Sequence, residues 1–328
     1  MSEIKVSVAV ITYNQQDTIR QTLDSILAQK GDFALEVVVG EDCSKDGTWS
    51  ICKMYADRYP AIIKLLENTG NLGITANFAR VMNACGGDYV AICAGDDYWC
   101  DDQKLQKQLD YAQNHPEFGV VCTNGYRLLV RSGELVPGLP PFKPAPDGDV
   151  SGYYKERYGG VYAMPLTLLI RRDLLQFVDF DEFIRRGFPV EDYPMQSVLA
   201  HHTRFGYIPD KTVVYRVCQE SATFTSFYSP RYMDYHRGLA DIRRYLHGLY
   251  PEDVPFTEEW AADYVFYKEF LSLLIHKKYR EARKLVASHH QDTPHHRQAA
   301  RATKTILHFY AFRAYKSFVL KRDRNQRT

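Results

Sequence analysis

The chain has 328 residues, of which 45% are hydrophobic, and this content is sufficient for a large buried core. Its 41 Lys and Arg nearly balance 40 Asp and Glu, and the formal net charge of +1 argues against a general nucleic-acid-binding protein. Seven cysteines without a Cys-x-x-Cys pair indicate neither a disulfide framework nor a zinc site. Without a signal peptide or an apolar run of roughly 20 residues, the sequence favours a cytoplasmic location.

The first 125 residues alternate strand-like and helix-like segments. The strand-like segments are apolar, β-branched runs at residues 6–11, 35–39, 62–66 and 89–93. The helix-like segments carry apolar residues at helical spacing and cover about residues 19–27, 48–58 and 74–82. This alternation predicts an α/β fold with a twisted, mostly parallel sheet and right-handed crossovers.

The later segments have weaker patterns. Asp101 and Asp102 precede a further helical pattern, and we expect them to cap that helix. Residues 133–152 hold most of a Gly/Pro cluster, which predicts a long surface loop. From about Thr257 onward the pattern is helical, and two histidine pairs, 289–290 and 295–296, fall in a polar connection where we expect them to be solvated.

Polar residues follow three of the predicted strands. These segments are Tyr13-Asn14, Glu41-Asp42 and Gly95-Asp96-Asp97-Tyr98-Trp99. Because ligands of parallel sheets gather outside the carboxyl ends of the strands, we expect the carboxylates on one rim. Chance alone gives about 5 adjacent acidic pairs in such a chain, so an acidic pair has little specificity by itself. In its context the 96–97 pair suits a hard divalent cation that bridges phosphates, with a solvated turn as the open alternative.

Several motifs in order carry a resemblance to a known family. They are VSVAVITYN (6–14), VVVGEDCSKDGT (37–48), NLG (71–73) and GDDYW (95–99), followed by Lys104, Leu105 and Gln108. This set resembles the family-two inverting glycosyltransferases of the GT-A fold, closely over about 120 residues and more weakly to residue 220. It is especially similar to bacterial members with a GDDYW turn, which build surface polysaccharides. The implied fold is a Rossmann-like, mostly parallel mixed sheet flanked by helices, with a helical carboxyl-terminal extension.

The resemblance implies roles for individual residues. Ile11 and Tyr13 lie near the nucleotide base of the donor, and Asp42 reads the edge of that base. Asp96 holds the ribose and diphosphate of a nucleotide diphosphate sugar, and Asp97 holds Mg²⁺ or Mn²⁺. Such a cation stabilises the negative charge that develops on the leaving group. Secondary candidates in the same motifs are Glu41 and Trp99.

An inverting displacement also needs a base. A sugar hydroxyl is a weak nucleophile at neutral pH, so a carboxylate must accept its proton. From the residues alone, Asp192 is a good cap for a helix beginning near Pro194. The family's Asp-Tyr-Pro pattern instead implies that Asp192 is the catalytic base, with Glu191 as a secondary candidate that orients a substrate.

Two departures from the family's pattern leave alternatives open. Ala94 stands where many relatives carry an additional acid, and the frequent histidine after Tyr215-Arg216 is absent, with Phe224 nearby. They motivate the alternative of a binding or scaffold protein that has lost turnover. A sugar nucleotidyltransferase is a second alternative, but residues 12–15 are not the glycine-rich, basic loop that binding a triphosphate favours.

The carboxyl-terminal segment is basic and aromatic. From residue 297 on, nine Lys and Arg stand against one acid, Asp323, with aromatic and aliphatic residues between them. One interpretation is a helix within residues 299–328 that lies on an anionic membrane, at the inner face of the cell membrane. The other is a terminal helix packed on the protein.

These observations lead to one prediction for the whole chain. Residues 1–220 form a GT-A glycosyltransferase domain, with a nucleotide-sugar-binding half to residue 125 and an acceptor-side half at 126–220. Residues 221–328 form a helical region. The predicted partners are a nucleotide diphosphate sugar and a glycan or lipid-linked acceptor, and no nucleic acid.

Overall fold

The computed structural model describes residues 4–138, 145, 148–155, 164–217, 231–289 and 292–327. The side chains of residues 154, 155 and those after 316 lie outside this description. The chain divides into two compact units, Met1–Val217 and Cys218–Thr328, which are described separately. The finer division of the first unit at residue 125 stays a prediction.

The first unit is built on a mixed sheet. Its strands in the described residues are β1 (Lys5–Thr12), β2 (Ala34–Glu41), β3 (Ile63–Leu66), β4 (Tyr89–Ile92), β5 (Tyr98–Trp99), β6 (Phe118–Leu129), β7 (Glu134–Pro137), β8 (Leu168–Arg171) and β9 (Arg204–Val217). Their order is β3-β2-β1-β4-β8-β6-β9-β5, with β7 on β6. The first four strands in this order are parallel, β8 is antiparallel to β4 and β6, and β6 is parallel to β9. The predicted mostly parallel mixed sheet is confirmed.

Helices cover both units. In the first unit they are α1 (Ile19–Leu27), α2 (Thr48–Arg58), α3 (Ile74–Ala84), α4 (Lys104–Asn114), α5 (Gly152–Lys155), α6 (Phe180–Arg186) and α7 (Asp192–His202). In the second unit they are α8 (Tyr232–Leu249), α9 (Glu258–Ile275), α10 (Tyr279–Ser288), α11 (Pro294–Thr303) and α12 (Ile306–Arg327). Among the described residues, none of these helices combines the length and apolarity needed to span a membrane.

The core of the first unit follows the sequence pattern. Residues 6–10 of β1 are buried on both faces of the sheet, as the unbroken apolar run predicts. Ile19, Leu23 and Ile26 place the inner face of α1 in the same core. This packing fixes β1 and its neighbours, and therefore the loops at their carboxyl ends.

Two predictions about loops and caps are wrong in part. Within the predicted loop at 133–152, Glu134–Pro137 forms the strand β7, which is antiparallel to β6. Pro137 is tolerated there because β7 pairs only with β6 and ends at this residue. Asp101 and Asp102 do not cap α4: Asp101 accepts a hydrogen bond from the backbone N–H of Gln103 at 2.9 Å, and Asp102 pairs with Lys30 at 2.5 Å.

The second unit has its own core. Its buried residues come from α9, α10, α11 and α12, and they include Phe266, Phe270, Leu274, Ala282, Ala299, Ala302 and Phe309. The helical pattern predicted from Thr257 onward is confirmed, and the Thr257 side chain caps α9 by accepting from the Trp260 N–H.

Two of these histidines have partners within the second unit. His295 lies in α11, and its Nδ1 is 2.5 Å from Asp263 Oδ2 of α9, an acidic partner that the sequence pattern did not reveal, although the His295 side chain is 45% exposed. His289, which follows α10, stacks on Phe266 of α9 with ring centroids 4.0 Å apart. His290 lies outside the described residues. The expectation of solvated histidines is therefore wrong for the stacked His289 and holds in part for His295.

The turn before β4 packs tightly on the backbone of β1. A Cβ on the buried Gly87 would lie 2.6 Å from Ser7 N and 2.7 Å from Lys5 O, both backbone atoms. We predict that Gly87→Ala lowers the free energy of unfolding by about 1–3 kcal/mol, because the backbone of β1 must move. Urea denaturation measures this change.

The neighbouring glycine provides a matched control. A Cβ on the exposed Gly86 would lie 3.6 Å from its nearest neighbour, Glu36 Oε2, which is ordinary contact. Gly86→Ala should change the free energy of unfolding by no more than about 0.5 kcal/mol. Equal destabilisation by both substitutions would contradict the role given to the contact between Gly87 and β1.

Candidate donor and catalytic site

The loops that follow β1 and β2 are joined by reciprocal hydrogen bonds. The Asn14 N–H donates to Ser44 Oγ and the Lys45 N–H donates to Asn14 Oδ1, both at 2.8 Å. Asn14 has φ 52°, a left-handed conformation that asparagine tolerates better than most residues. The Gly47 N–H donates to Gln16 Oε1, also at 2.8 Å. These bonds hold the first two predicted site segments as one rim.

Glu41 shapes the turn after β2. It is buried, and its two carboxylate oxygens accept from the backbone N–H groups of Cys43 at 3.1 Å and Ser44 at 2.7 Å. Cys43 has φ 56°, so this turn includes a strained residue that the carboxylate stabilises. The structure thus gives the secondary candidate Glu41 a positioning role.

Asp42 anchors the segment before α3. Its Oδ1 accepts from the Leu72 N–H at 2.8 Å and from Asn68 Nδ2 at 3.0 Å, and its Oδ2 accepts from the Gly73 N–H at 2.9 Å. Asn71 donates to the Asp42 carbonyl at 2.9 Å. An ionised carboxylate offers about four acceptor sites, so one direction stays available for a ligand donor. Asp42 as the reader of the base remains a prediction.

The turn after β4 lies against the end of β1. The Gly95 N–H donates to the Ile11 carbonyl at 2.9 Å, and Thr22 Oγ donates to the carbonyls of Gly95 and Asp97 at 3.0 and 2.6 Å. A Cβ at Gly95 would lie 2.6 Å from Thr12 Oγ, so only glycine fits here without movement. Ile11 is thereby half-buried behind the turn, whereas Tyr13 is exposed at the rim.

Of the two acids of this turn, Asp97 is buried and Asp96 is half-buried. Burial raises the pKa of Asp97 well above its usual range and the charge of Asp96 raises it further, while a 2.8 Å hydrogen bond from the Arg216 N–H to Asp97 Oδ1 opposes the shift. Burial likewise raises the pKa of Asp96. Asp97 Oδ2 accepts no protein hydrogen bond among the described residues. Two adjacent carboxylates that are removed from water favour either the gain of a proton or the binding of a cation, because both changes reduce the negative charge.

The carboxylates of this turn could provide only part of the ligands of a divalent cation. Among the described residues, no group of three or more His, Cys, Asp or Glu could hold a metal. Mg²⁺ commonly uses one or two carboxylates and takes its other ligands from phosphates and water. Asp97, with Asp96 beside it, provides that minimum, and Ala94 provides nothing more.

Arg216 is a residue that the sequence reasoning missed. Its guanidinium donates to the Asp96 carbonyl and to Gln21, and its Cζ lies 4.8 Å from the centre of the Tyr98 ring. With its N–H on Asp97, Arg216 joins β9 to the acidic turn through both backbone and side chain. The family's Tyr-Arg pattern, which includes Tyr215 and Arg216, was the feature of the sequence that could have identified this residue.

Trp99 and Lys104 lie in the core below the turn. The Lys104 ammonium is 4.3 Å from the centre of the Trp99 ring and donates to Gln108 at 2.7 Å. Burial lowers the pKa of Lys104 to about 7. Gln108 donates in turn to the carbonyls of Val121 and Thr167, at 2.7 and 2.9 Å. Trp99, a secondary site candidate, is buried at 4% exposure, so the structure places its ring in this core.

The second acidic pair opens α7. The helix begins at Asp192, two residues earlier than the sequence suggests, and no side chain caps its amino terminus. In the part of the chain that the structure describes, Asp192 accepts a hydrogen bond from the N–H of the adjacent Tyr193 alone, at 2.7 Å, so the helix-cap interpretation finds no support. Glu191 is buried, and its Oε2 has no hydrogen-bond partner in the described residues.

The electrostatics of this pair separate its two members. Removal from water raises the pKa of Asp192 to about 6. Burial together with the Asp192 charge raises the pKa of Glu191 to about 8. The two carboxyls are adjacent and removed from water, so near neutral pH the pair as a whole favours a single negative charge.

The start of α3 connects the two groups of site residues. Gly73, which donates to Asp42, directly precedes α3, and Thr75 Oγ donates at 2.9 Å to the carbonyl of Phe188, three residues before Glu191. Phe78 of α3 packs edge-on against Phe180 of α6, at 5.9 Å between centroids. The loop that carries Glu191 is thus held against the element that Asp42 anchors.

The amino-terminal part of the chain matches a family model and curated proteins. The model described as glycosyl transferase family 2 matches residues 7–175. The chain is 34% identical over 177 residues to the putative teichuronic acid biosynthesis glycosyltransferase TuaG of Bacillus subtilis, covering 53% of this chain and 65% of TuaG. It is 40% identical over 136 residues to an uncharacterised Mycobacterium tuberculosis protein, which is 42% of this chain and 39% of that relative. The chain therefore spans well under two thirds of the mycobacterial relative.

Solved structures share the fold. TarS of S. aureus in complex with UDP-GlcNAc has a TM-score of 0.58 at 19% identity, covering 87% of this chain and 79% of that chain. The mannosyltransferase PcManGT of Pyrobaculum calidifontis, in complex with GDP-Man and Mn²⁺, has a TM-score of 0.51 at 19% identity, covering 97% and 88%. At this identity the likeness concerns the fold, and it agrees with the mixed sheet described above. Because the family model also covers more than half of the residues, the chain belongs to glycosyl transferase family 2.

Proposed function

We propose that this protein transfers a sugar from a nucleotide diphosphate donor to a glycan or lipid-linked acceptor, with inversion, in the synthesis of a bacterial surface polysaccharide. The observation that carries the proposal is Asp192: a partly buried carboxylate that opens a helix without capping it and that forms no ion pair within the described residues. Structural neighbours bind UDP-GlcNAc and GDP-Man, and TuaG is named for teichuronic acid biosynthesis, which supports the donor and product classes.

The proposed donor site lies at the carboxyl ends of β1, β2 and β4. Tyr13 offers an exposed ring for a base, and Asp42, which is buried at 3% exposure, keeps one acceptor site for the edge of that base. Asp96 lies beside the ribose and diphosphate, and Asp97 holds Mg²⁺ or Mn²⁺. When bound, the cation offsets the charge that develops on the departing nucleoside diphosphate.

The proposed displacement uses Asp192 as the base. The acceptor hydroxyl oxygen bonds to the anomeric carbon as the bond from that carbon to the phosphate oxygen breaks, and the hydroxyl proton passes to the Asp192 carboxylate. A pKa of about 6 leaves this group ionised at neutral pH yet more basic than an ordinary aspartate. Glu191, protonated below about pH 8, donates a hydrogen bond that orients the acceptor.

We predict that Asp192→Asn lowers turnover by roughly 10² or more and leaves donor affinity nearly unchanged, because the amide keeps the shape but cannot accept the proton. Metal-dependent hydrolysis across a panel of nucleotide sugars, with calorimetry of UDP and GDP binding, measures both quantities. Glu191→Gln is the matched control and should retain most of the turnover. Near-normal turnover of the Asn variant would eliminate Asp192 as the base.

We predict that nucleotide diphosphate binds more tightly with Mn²⁺ or Mg²⁺ than with chelator, and that Asp97→Ala removes this difference, because the cation must offset crowded negative charge. Calorimetry with UDP and GDP tests it. The control is Asp102→Ala, which removes an exposed acid paired with Lys30 nearby in the sequence. Equal affinities of the wild type with and without metal would remove the metal from the mechanism.

The pH profile should have two limbs. We predict that turnover rises as pH passes about 6, because Asp192 must lose its proton to act as base, and falls as pH passes about 8, because Glu191 then loses the proton that it donates. Glu191→Gln should abolish the upper limb and keep the lower one. A profile that is flat between about pH 5 and pH 7 would contradict the assignment of Asp192.

A further inference from the structure

The helix α12 is apolar on two opposite sides. On one side Phe309 is fully buried, 5.4 Å from the Tyr279 ring of α10, and Phe312 lies 6.3 Å from Phe270 of α9. This side belongs to the core of the second unit. A terminal helix of this kind ordinarily presents polar residues on its other side.

The other side is instead an exposed apolar face. It consists of Ile306, Leu307, Tyr310 and Tyr315, which are 56%, 76%, 40% and 59% exposed. Leu307, Tyr310 and Tyr315, together with the exposed Ala311 and Ala314, are spaced so that they cover the half of the helix opposite Phe309, and Ile306 lies at the border of this half. Four of the fourteen exposed large apolar side chains in the described residues fall within these ten positions. Such a concentration indicates a binding surface.

Basic side chains border the exposed apolar face. Exposed Lys304 precedes α12, and Arg313 lies at its edge and donates to the Ile275 carbonyl at 3.4 Å. That bond places the turn after α9, with exposed Lys277 and Lys278, beside α12. Lys277 has φ 60°, a conformation that glycine or asparagine would adopt with less strain.

Charge is segregated along the second unit. Residues 276–316 carry ten Lys and Arg against two acids, whereas residues 231–275 carry five against eight. The acids of the second unit therefore belong mostly to α8, α9 and their connection, and no acid occurs between residues 293 and 316. The surface around α12 is apolar at its centre and positive at its border.

We propose that the exposed apolar face and its basic border bind the surface of an anionic lipid bilayer, with α12 parallel to the membrane plane. Apolar side chains that enter the headgroup boundary while Lys and Arg meet anionic lipid are the features of an interfacial helix. A protein partner would need a complementary acidic groove, whereas a bilayer provides both kinds of contact at once. The proposal does not depend on the glycosyl transfer proposed above.

The test must keep the core of the second unit intact. Truncation before Ala299 would remove Ala299, Ala302 and Phe309 from that core, so surface substitutions are needed. The apolar variant combines Leu307→Gln, Tyr310→Gln and Tyr315→Gln. The charge variant combines Lys277→Gln, Lys278→Gln and Lys304→Gln. The control, Leu249→Gln, removes an apolar side chain that is 45% exposed at the end of α8 in the same unit.

Flotation with phosphatidylcholine vesicles, with and without phosphatidylglycerol, measures binding by the full chain. We expect the wild type and the control to float only with the anionic vesicles, and the apolar variant to bind at least about tenfold less. Binding by the wild type should weaken as salt rises from about 0.01 M to about 1 M, where the Debye length falls from about 30 Å to about 3 Å. The charge variant should bind less and lose most of this salt dependence. Unchanged circular dichroism and donor hydrolysis confirm that each variant is folded.

Several results would overturn the proposal. The wild type would fail to float with anionic vesicles at low salt, or the control would lose as much binding as the apolar variant. A dimer that the apolar variant dissociates, without any change in flotation, would assign the face to a second copy of the chain. Binding to dextran sulfate but not to vesicles would assign the basic border to a soluble polyanion.

Discussion

The first unit depends on hydrogen-bond partners for polar groups that the sheet brings together at one edge. Parallel strands β1, β2 and β4 end side by side, and their last backbone groups would be buried without partners if the loops were ordinary ones. Side chains supply the partners: Asn14 and Gln16 for the β2 loop, and Thr22 for the β4 turn. The same bonds that satisfy the backbone therefore determine where the acids of the site lie.

The buried acids of the site fall into two groups, which differ in how many hydrogen-bond donors surround each carboxylate. Glu41 and Asp42 are surrounded by N–H donors, so they serve as structural anchors at the edge of the site. Asp97 and Glu191 differ, because burial raises their pKa values and no cationic side chain of the described residues is bonded to either carboxylate. The pair Asp96-Asp97 suits the binding of a cation together with phosphates, and the pair Glu191-Asp192 suits the gain of a proton. The two kinds of buried acid thus separate scaffold from chemistry.

The sequence predicted the parallel part of the sheet well because burial on both faces leaves a strong pattern in β1 and β2. It predicted β8 and β9 poorly, since β8 pairs with β4 and β6, and β9 pairs with β6, over long stretches of chain that no local pattern records. The motifs predict individual site residues, and their roles stay predictions. Arg216 was not among these residues, because its contacts with Asp96 and Gln21 cross more than a hundred residues of chain. The pairing of His295 with Asp263 was missed for the same reason.

The reciprocal bonds between the first two loops also affect which residues evolution can exchange there. In each bond one partner contributes a side chain and the other only its backbone: Asn14 supplies an amide oxygen, whereas Lys45 supplies an N–H that any residue except proline would provide. The same holds for Ser44, whose hydroxyl accepts from the backbone of Asn14. Substitutions should therefore be confined to the backbone partners, and Lys45 can change freely while Asn14 and Ser44 keep the rim in place.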